Sequence, residues 1–175
     1  MVIQLAKSVF GMNVVATSSR PESLSWVQRM GADDVINHRL PLDTQLSDLH
    51  FSPRYVACLN QASSHFKPIL KSISPFGHVA IIDEAVNIDT SLFKQKSVSL
   101  SWEYVFTKSL YQTSDILTQG DFLDLIAGLI DRQIIHSIIG RSFEYMNPVN
   151  LQIAHELQLS GQSIGKTVLG PWCAS

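Results

Sequence analysis

Residues 14–23 read Val-Val-Ala-Thr-Ser-Ser-Arg-Pro-Glu-Ser. Val14, Val15 and Ala16 form a short apolar run of the kind that fills a buried parallel strand. The polar residues Thr17 to Arg20 end that run. Pro21 at a first helical position, with serine before it and Glu22 in the first turn, predicts a helix start. The helix carries Leu24, Trp26, Val27 and Met30 and stops at Gly31. A strand running directly into a helix is half of a strand–helix–strand unit, and the chain repeats the theme on both sides.

Upstream, Val2, Ile3, Leu5, Ala6, Val9 and Phe10 give a helical stripe that Gly11 closes. Downstream, Val35-Ile36 is a second short strand, and residues 41–50 read as an amphipathic helix with Leu42, Leu46 and Leu49 in phase. Residues 55–59 form a third strand that breaks at Asn60-Gln61. A helix is expected from Ser63 to Ile73, a turn at Pro75-Phe76-Gly77, and a fourth strand at Val79 to Ile82 that ends at Asp83-Glu84. Short apolar strands joined by helical crossovers predict an α/β fold, a parallel sheet with helices on both faces. Beyond residue 84, Val98, Leu100 and Trp102 alternate with serines, which predicts a strand with one polar face or an edge strand. A long helix follows from Ser114 to Asp131, broken or kinked near Gly120. Residues 134–145 are mixed and extended, Asn147-Pro148 opens a helix through Leu159, and Thr167 to Leu169 is a last strand.

A length of 175 residues suits one domain with a substantial core, and 45% hydrophobic against 16% charged residues excludes a disordered chain. A net charge of −2 gives no electrostatic drive toward nucleic acid or an anionic membrane. No apolar run reaches the roughly 18 residues that span a bilayer. The start carries no basic flank or small-residue cleavage site, so a secretory signal is not expected. Cys58 sits in an apolar run and reads as a buried thiol, and Cys173, near the end, as an exposed one. A reducing cytoplasm is the plain expectation.

In a dinucleotide-binding fold the end of the second strand faces the adenosine ribose. An acid there holds the 2′-hydroxyl of NAD, whereas a neutral or basic residue makes room for the 2′-phosphate of NADP. Here Ser18, Ser19 and Arg20 follow the strand, with no carboxylate until Glu22. Two hydroxyls, a guanidinium fork and a helix N-terminus suit a phosphate dianion. The plainer reading makes Ser19 a helix cap and Arg20 a solvated charge, and the residues alone leave both open. The glycine-rich loop expected after a first strand is absent. Either that strand and loop precede Met1, or the domain is another kind of α/β unit. The six histidines, His38, His50, His65, His78, His136 and His155, show no ligand spacing. His38, just past the second strand, is best placed to lie beside an adenine, and Asp83-Glu84 ends the strand nearest a nicotinamide. Trp102, Tyr104 and Phe106 read as packing residues rather than as a stacking platform. No nucleophile–base or paired-carboxylate arrangement follows from spacing.

Several stretches resemble the zinc-type alcohol dehydrogenase-like and quinone oxidoreductase branch of the medium-chain dehydrogenase/reductase superfamily. They are residues 2–7, 14–23, 30–38 (Met-Gly-Ala-Asp-Asp-Val-Ile-Asn-His), 101–107 (Ser-Trp-Glu-Tyr-Val-Phe-Thr) and 160–169 (Ser-Gly-Gln-Ser-Ile-Gly-Lys-Thr-Val-Leu). The likeness runs to about Leu169. It implies a partial Rossmann NADP-binding domain over residues 1–141, its first strand and glycine loop lying before Met1. Residues 142–175 would be a C-terminal return into a GroES-like catalytic domain. It further implies that Ser18, Ser19 and Arg20 surround the adenosine phosphate and that His38 lies near the adenine. Leu59, Asn60, Ile82 and Asp83 would follow the cofactor along the strand ends. NADP(H) is the expected cofactor, a small carbonyl or quinone the substrate, and no zinc, nucleic acid or membrane is expected as a partner. The strand near Val98–Trp102 is the expected homodimer edge. The parent would be a reductase and this chain alone inactive, against the alternative of a non-catalytic nucleotide-binding or oligomerisation fragment. A Rossmann-like methyltransferase is disfavoured by the Ser-Ser-Arg cluster.

Overall fold

A computed structural model describes residues 1–84, 89 and 91–172 of the chain. The chain divides into two compact units, residues 1–35 with 123–175, and residues 36–122.

The first unit begins with α1 (Val2–Gln4), which widens into a π-helical turn over Leu5–Val9. The Phe10 N–H donates to the Leu5 carbonyl at 3.1 Å, five residues back. Gln4, 3% exposed, uses its amide as a clamp on the distant residue His136. Its Nε2 donates to the His136 carbonyl at 2.9 Å, and its Oε1 accepts the His136 N–H at 2.6 Å. β1 (Val15–Thr17) pairs with β2 (Asp34–Ile36), and α2 (Pro21–Arg29) joins them. Lys7 forms an ion pair with Asp33, whose second oxygen accepts the Val14 N–H at 2.8 Å.

The second unit holds α3 (Leu42–Asp48) and a parallel three-stranded ladder of β3 (Tyr55–Cys58), β4 (His78–Ile81) and β5 (Ser99–Trp102), in that order. Val79 and Ile81 on the central strand are fully buried. Each contributes about 1.5–3 kcal/mol by leaving water. They pack with Phe66, Ile69 and Ile73 of and just beyond α4 (Ala62–Ser72), and with Phe93 of α5 (Ser91–Lys94). The Phe66 and Phe93 rings stand 5.2 Å apart, tilted by 51°. Lys96 closes α4, its Nζ donating to the carbonyls of Leu70, Lys71 and Ile73 at 2.8–2.9 Å.

α7 (Thr118–Asp131) is the helix expected over residues 114–131, starting four residues later, and an additional short helix, α6 (Thr107–Tyr111), precedes it. Lys108 donates to both Asp115 and Thr118, which holds residues 113–117 as a turn. α7 then runs unbroken through Gly120. β6 (Ile139–Phe143) and β7 (Lys166–Leu169) are parallel neighbours joined by α8 (Pro148–Leu159). Around this ladder glycine is sterically required at Gly140 and Gly170, among other positions. A Cβ on Gly140 would collide with the Ile164 carbonyl, and one on Gly170 with the Glu144 carbonyl.

The α/β fold with parallel strands and helical crossovers is as expected, its strands falling into three ladders, β1–β2, β3–β4–β5 and β6–β7. The helices over residues 21–29, 42–48, 62–72 and 148–159, the buried Cys58 and the edge position of β5 are as expected. Cys173 lies outside the described residues. Among the described residues no helix is long and apolar enough to cross a membrane.

Candidate functional site

The residues singled out from sequence fall into two groups, one in each unit. In the first unit the carboxyl end of β1 leads into the start of α2. Arg20 occupies the N-cap with extended backbone (φ −123°, ψ 146°) and no side-chain capping bond, and Pro21 follows at the first turn. Capping by Ser19 is therefore corrected: the cap residue is Arg20. Ser18 is 6% exposed, and its hydroxyl is used internally, 2.6 Å from the Ser23 hydroxyl. Both hydroxyls lie within hydrogen-bond reach of the Arg20 carbonyl, at 3.3 and 3.0 Å, and with one proton each they share these contacts between that carbonyl and each other. This small hydroxyl network fixes the turn. Ser19 and Arg20 remain half-exposed on it. Arg20 Nη2 donates to the Gln162 carbonyl at 3.2 Å, which steadies the guanidinium while leaving donors of its planar fork for an anion. Ser23 was not singled out from sequence, although a hydroxyl three residues after a helix N-cap is a recognisable local signal.

In the second unit Leu59, Asn60, Ile82 and Asp83 lie at the carboxyl ends of β3 and β4, and His38 lies just after β2. β3 and β4 run in parallel, and the Ile82 N–H donates to the Cys58 carbonyl at 3.3 Å, which brings the two strand ends side by side. Leu59 and Ile82 are 50% and 52% exposed, so their apolar side chains are offered outward. Asn60 is also exposed, and the next residue, Gln61, turns the chain through left-handed backbone (φ +52°) into α4. Asp83 Oδ2 accepts the N–H of Ala62 at 3.0 Å, tying the end of β4 to the start of α4. Its Oδ1 is buried without a hydrogen-bond partner among the described residues. Burial pushes the Cys58 thiol up to about 11, and the Asp83 carboxylate adds to the effect.

His38 stands edge-on to His65 of α4, ring centroids 6.3 Å apart. Burial holds the His38 imidazole below the usual histidine range, helped by His65 and then Arg39. His65 is a partner the residue pattern does not reveal, since nothing in spacing joins positions 38 and 65.

The reading of Trp102, Tyr104 and Phe106 as packing residues is corrected. They are 56%, 59% and 55% exposed, because β5 is an edge strand and the chain leaves it along the surface of its unit. Among the described residues no group of three or more His, Cys, Asp and Glu side chains stands close enough to hold a metal ion. What these positions offer is recognition: hydroxyls, a guanidinium, imidazoles, and strand-end backbone.

The chain matches the sequence model of the zinc-binding dehydrogenase family over residues 1–119. It is 32% identical over 168 residues to a zinc-type alcohol dehydrogenase-like protein of Staphylococcus aureus, covering 95% of this chain and 50% of that one. The match to a counterpart in Staphylococcus epidermidis is 30% over 169 residues, again over 95% of this chain and 50% of the relative. Among solved structures, that of a putative zinc-dependent alcohol dehydrogenase protein from Rhizobium etli superposes with a TM-score of 0.89 at 33% identity, over 96% of this chain and 50% of that one. A mycobacterial protein solved with NADPH shares the fold at a TM-score of 0.77 and 18% identity, over 96% of this chain and 52% of that one. The chain spans about half the length of the curated relatives it matches. With more than half its length under the family's sequence model and its fold repeated in a dehydrogenase at 33% identity, the chain belongs to the zinc-binding dehydrogenase family of the medium-chain dehydrogenase/reductase superfamily.

Proposed function

We propose that this chain is the nucleotide-binding part of an NADP(H)-dependent reductase of quinones, enones or other activated carbonyls. The observation that carries the reading is the turn after β1. Ser19, Arg20 and the first N–H groups of α2 converge there, and no carboxylate appears before Glu22. A 2′-phosphate brings nearly two negative charges. A guanidinium fork at a helix N-terminus offsets them, where a carboxylate would repel them. The Ser18–Ser23–Arg20 network supports the turn from behind and keeps Arg20 at the helix start.

When bound, the nicotinamide supplies a hydride to the acceptor carbon, and a proton completes the reduction. The part of this chain is to hold the dinucleotide. His38 would lie near the adenine and the exposed Leu59-Asn60 and Ile82-Asp83 strand ends would follow the cofactor, while Asp83 keeps the loop before α4 in place through Ala62. The NADPH found with the mycobacterial neighbour supports a nicotinamide dinucleotide as the ligand class. The reading assigns no role to a metal. It takes residues 142–175 as the return into a catalytic domain and β5 as a dimer edge in the cytoplasm, supported by the place of β5 at the edge of its ladder among the described residues.

Calorimetric titration with NADPH and NADH, on the wild-type chain and on Arg20→Ala, tests the proposal. Preference for NADPH that falls at least tenfold in Arg20→Ala, with NADH nearly unchanged, is the expected result for one lost charge-assisted contact. Equal losses for both dinucleotides would remove the phosphate role of Arg20.

A further inference from the structure

The turn that follows β1 is touched by a segment far along the chain. Ser160 caps the end of α8, and Gly161 turns the chain through left-handed backbone (φ +66°). Gln162 follows, and its carbonyl accepts Arg20 Nη2 at 3.2 Å. A single hydroxyl fixes this turn. Ser160 Oγ donates to the Leu157 carbonyl at 2.6 Å and accepts the Gln162 N–H at 3.1 Å, which ties Gln162 to the end of α8. Three residues later the chain meets α2 again. A Cβ on Gly165 would stand 3.0 Å from Trp26 Cζ2 and 2.5 Å from the Ile138 carbonyl. Residues 160–165 are thus laid along α2 from its N-cap to Trp26.

We infer that the turn at residues 160–162 sets the preference of the nucleotide site for a 2′-phosphate, by holding the Arg20 guanidinium in place before the ligand arrives. A free arginine side chain spreads over many rotamers, and anion binding must collect them into one. The Gln162 carbonyl does part of this in advance. It occupies one of the five guanidinium N–H groups and leaves the others for the anion. Advance ordering strengthens only the ligand that uses the charge. A phosphate gains from a fixed guanidinium, whereas the neutral 2′-hydroxyl of NADH gains little. Ser160 and Gly161 are therefore positioning residues, acting through a residue 142 positions from Gln162. The effect is reciprocal, so a bound 2′-phosphate stabilises the turn by the same factor. Identifying the anion as the 2′-phosphate rests on the NADP(H) reading above. The hold on Arg20 does not.

The test is a double-mutant cycle on the whole chain. NADPH and NADH are titrated by calorimetry into wild type, Ser160→Ala, Arg20→Ala and the pair. Ser160→Ala should weaken NADPH about three- to fivefold, the scale of one side chain left to be ordered on binding, with NADH within about 1.5-fold. In the Arg20→Ala background the same change should add nothing, a result that a general loss of fold would not give. Ser160→Thr keeps the hydroxyl and should behave as wild type. Gly161→Ala strains the left-handed backbone while its methyl meets nothing within 4 Å, and should act like Ser160→Ala. Hydrogen exchange of peptides covering residues 157–164 reads the reciprocal effect on wild type, where saturating NADPH should slow exchange about three- to fivefold more than NADH. NADPH affinity unchanged in Ser160→Ala and Gly161→Ala overturns the inference. So do equal losses for both dinucleotides, a full further loss in the Arg20→Ala background, or equal protection by both. The two proposals fail separately. A wild-type NADPH preference that survives the changes at 160 and 161 removes the role of the turn and leaves the reductase reading. No wild-type preference removes that reading, and the role of the turn with it.

Discussion

Gln4→Leu should destabilise the first unit through the backbone of a residue 132 positions away. The leucine matches glutamine closely in size, and Gln4 is 3% exposed, so packing changes little. What disappears is a pair of hydrogen bonds at 2.9 and 2.6 Å, leaving the His136 carbonyl and N–H without the amide that satisfied them. A buried backbone group left unpaired costs about 1–3 kcal/mol. His136 itself is exposed, so water takes over part of the lost bonding and the lower end applies, about 1–2 kcal/mol for the pair. With a urea dependence of about 2 kcal/mol per molar, the midpoint should drop by about 0.5–1 M. Gln4→Glu is the sharper companion. It keeps an acceptor for the His136 N–H but turns a carboxylate oxygen toward the His136 carbonyl, and should fall below the leucine variant. Urea titrations followed by far-ultraviolet circular dichroism at neutral pH measure both. A leucine midpoint within about 0.1 M of wild type, or a glutamate variant more stable than the leucine one, would refute the clamp.

Two further outcomes follow from the second unit. Because burial depresses the His38 pKa, the unfolded chain binds its proton first as pH falls, and stability is lost below the ordinary histidine value of about 6.5. His38→Gln should therefore lose less thermal stability than wild type between about pH 7 and pH 5, and parallel slopes would dismiss the effect. Cys58, buried and with its thiol pushed up to about 11, should resist iodoacetamide in the folded chain at about pH 8 and react after denaturation. Peptide mass spectrometry at Cys58 gives the comparison, and native labelling as fast as denatured labelling would contradict it.

Features set by neighbours along the chain are legible in the residues themselves. Asn147 opens α8 because its own side chain accepts the Asn150 N–H at 2.8 Å, and Gly161 beyond it adopts φ +66°. The strand–turn–helix at residues 14–29 likewise needs only local propensity and a proline. Features set by distant partners are not legible in this way. The start of α7 at Thr118 depends on Lys108 reaching forward, and the pairing of His38 with His65 joins residues 27 positions apart that no sequence spacing links. Division of the strands into separate ladders is a matter of pairing, which strand propensity does not encode. Trp102 and Tyr104 show the same limit from the other side. Their residue type favours burial, yet their place on and just after an edge strand leaves them open. At the candidate site, Arg20 is legible as a charge at a helix start. The inward turn of Ser18 is not, because it depends on where Ser23 points.

Gly140 and Gly170 would stand out in any mutational survey of this chain for a reason unrelated to ligand or reaction. Each faces a carbonyl from a neighbouring segment, Ile164 and Glu144, with no room for even a methyl group. Alanine at either position must push the β6–β7 ladder apart, so selection for folding alone would hold both positions fixed across sequences with different substrates. Tolerance profiles that separate retained fold from retained dinucleotide binding would place these glycines in the first class and Arg20 in the second. Invariance at a glycine of this ladder therefore reports the spacing of two backbones, and only invariance at a position with room to vary points to chemistry.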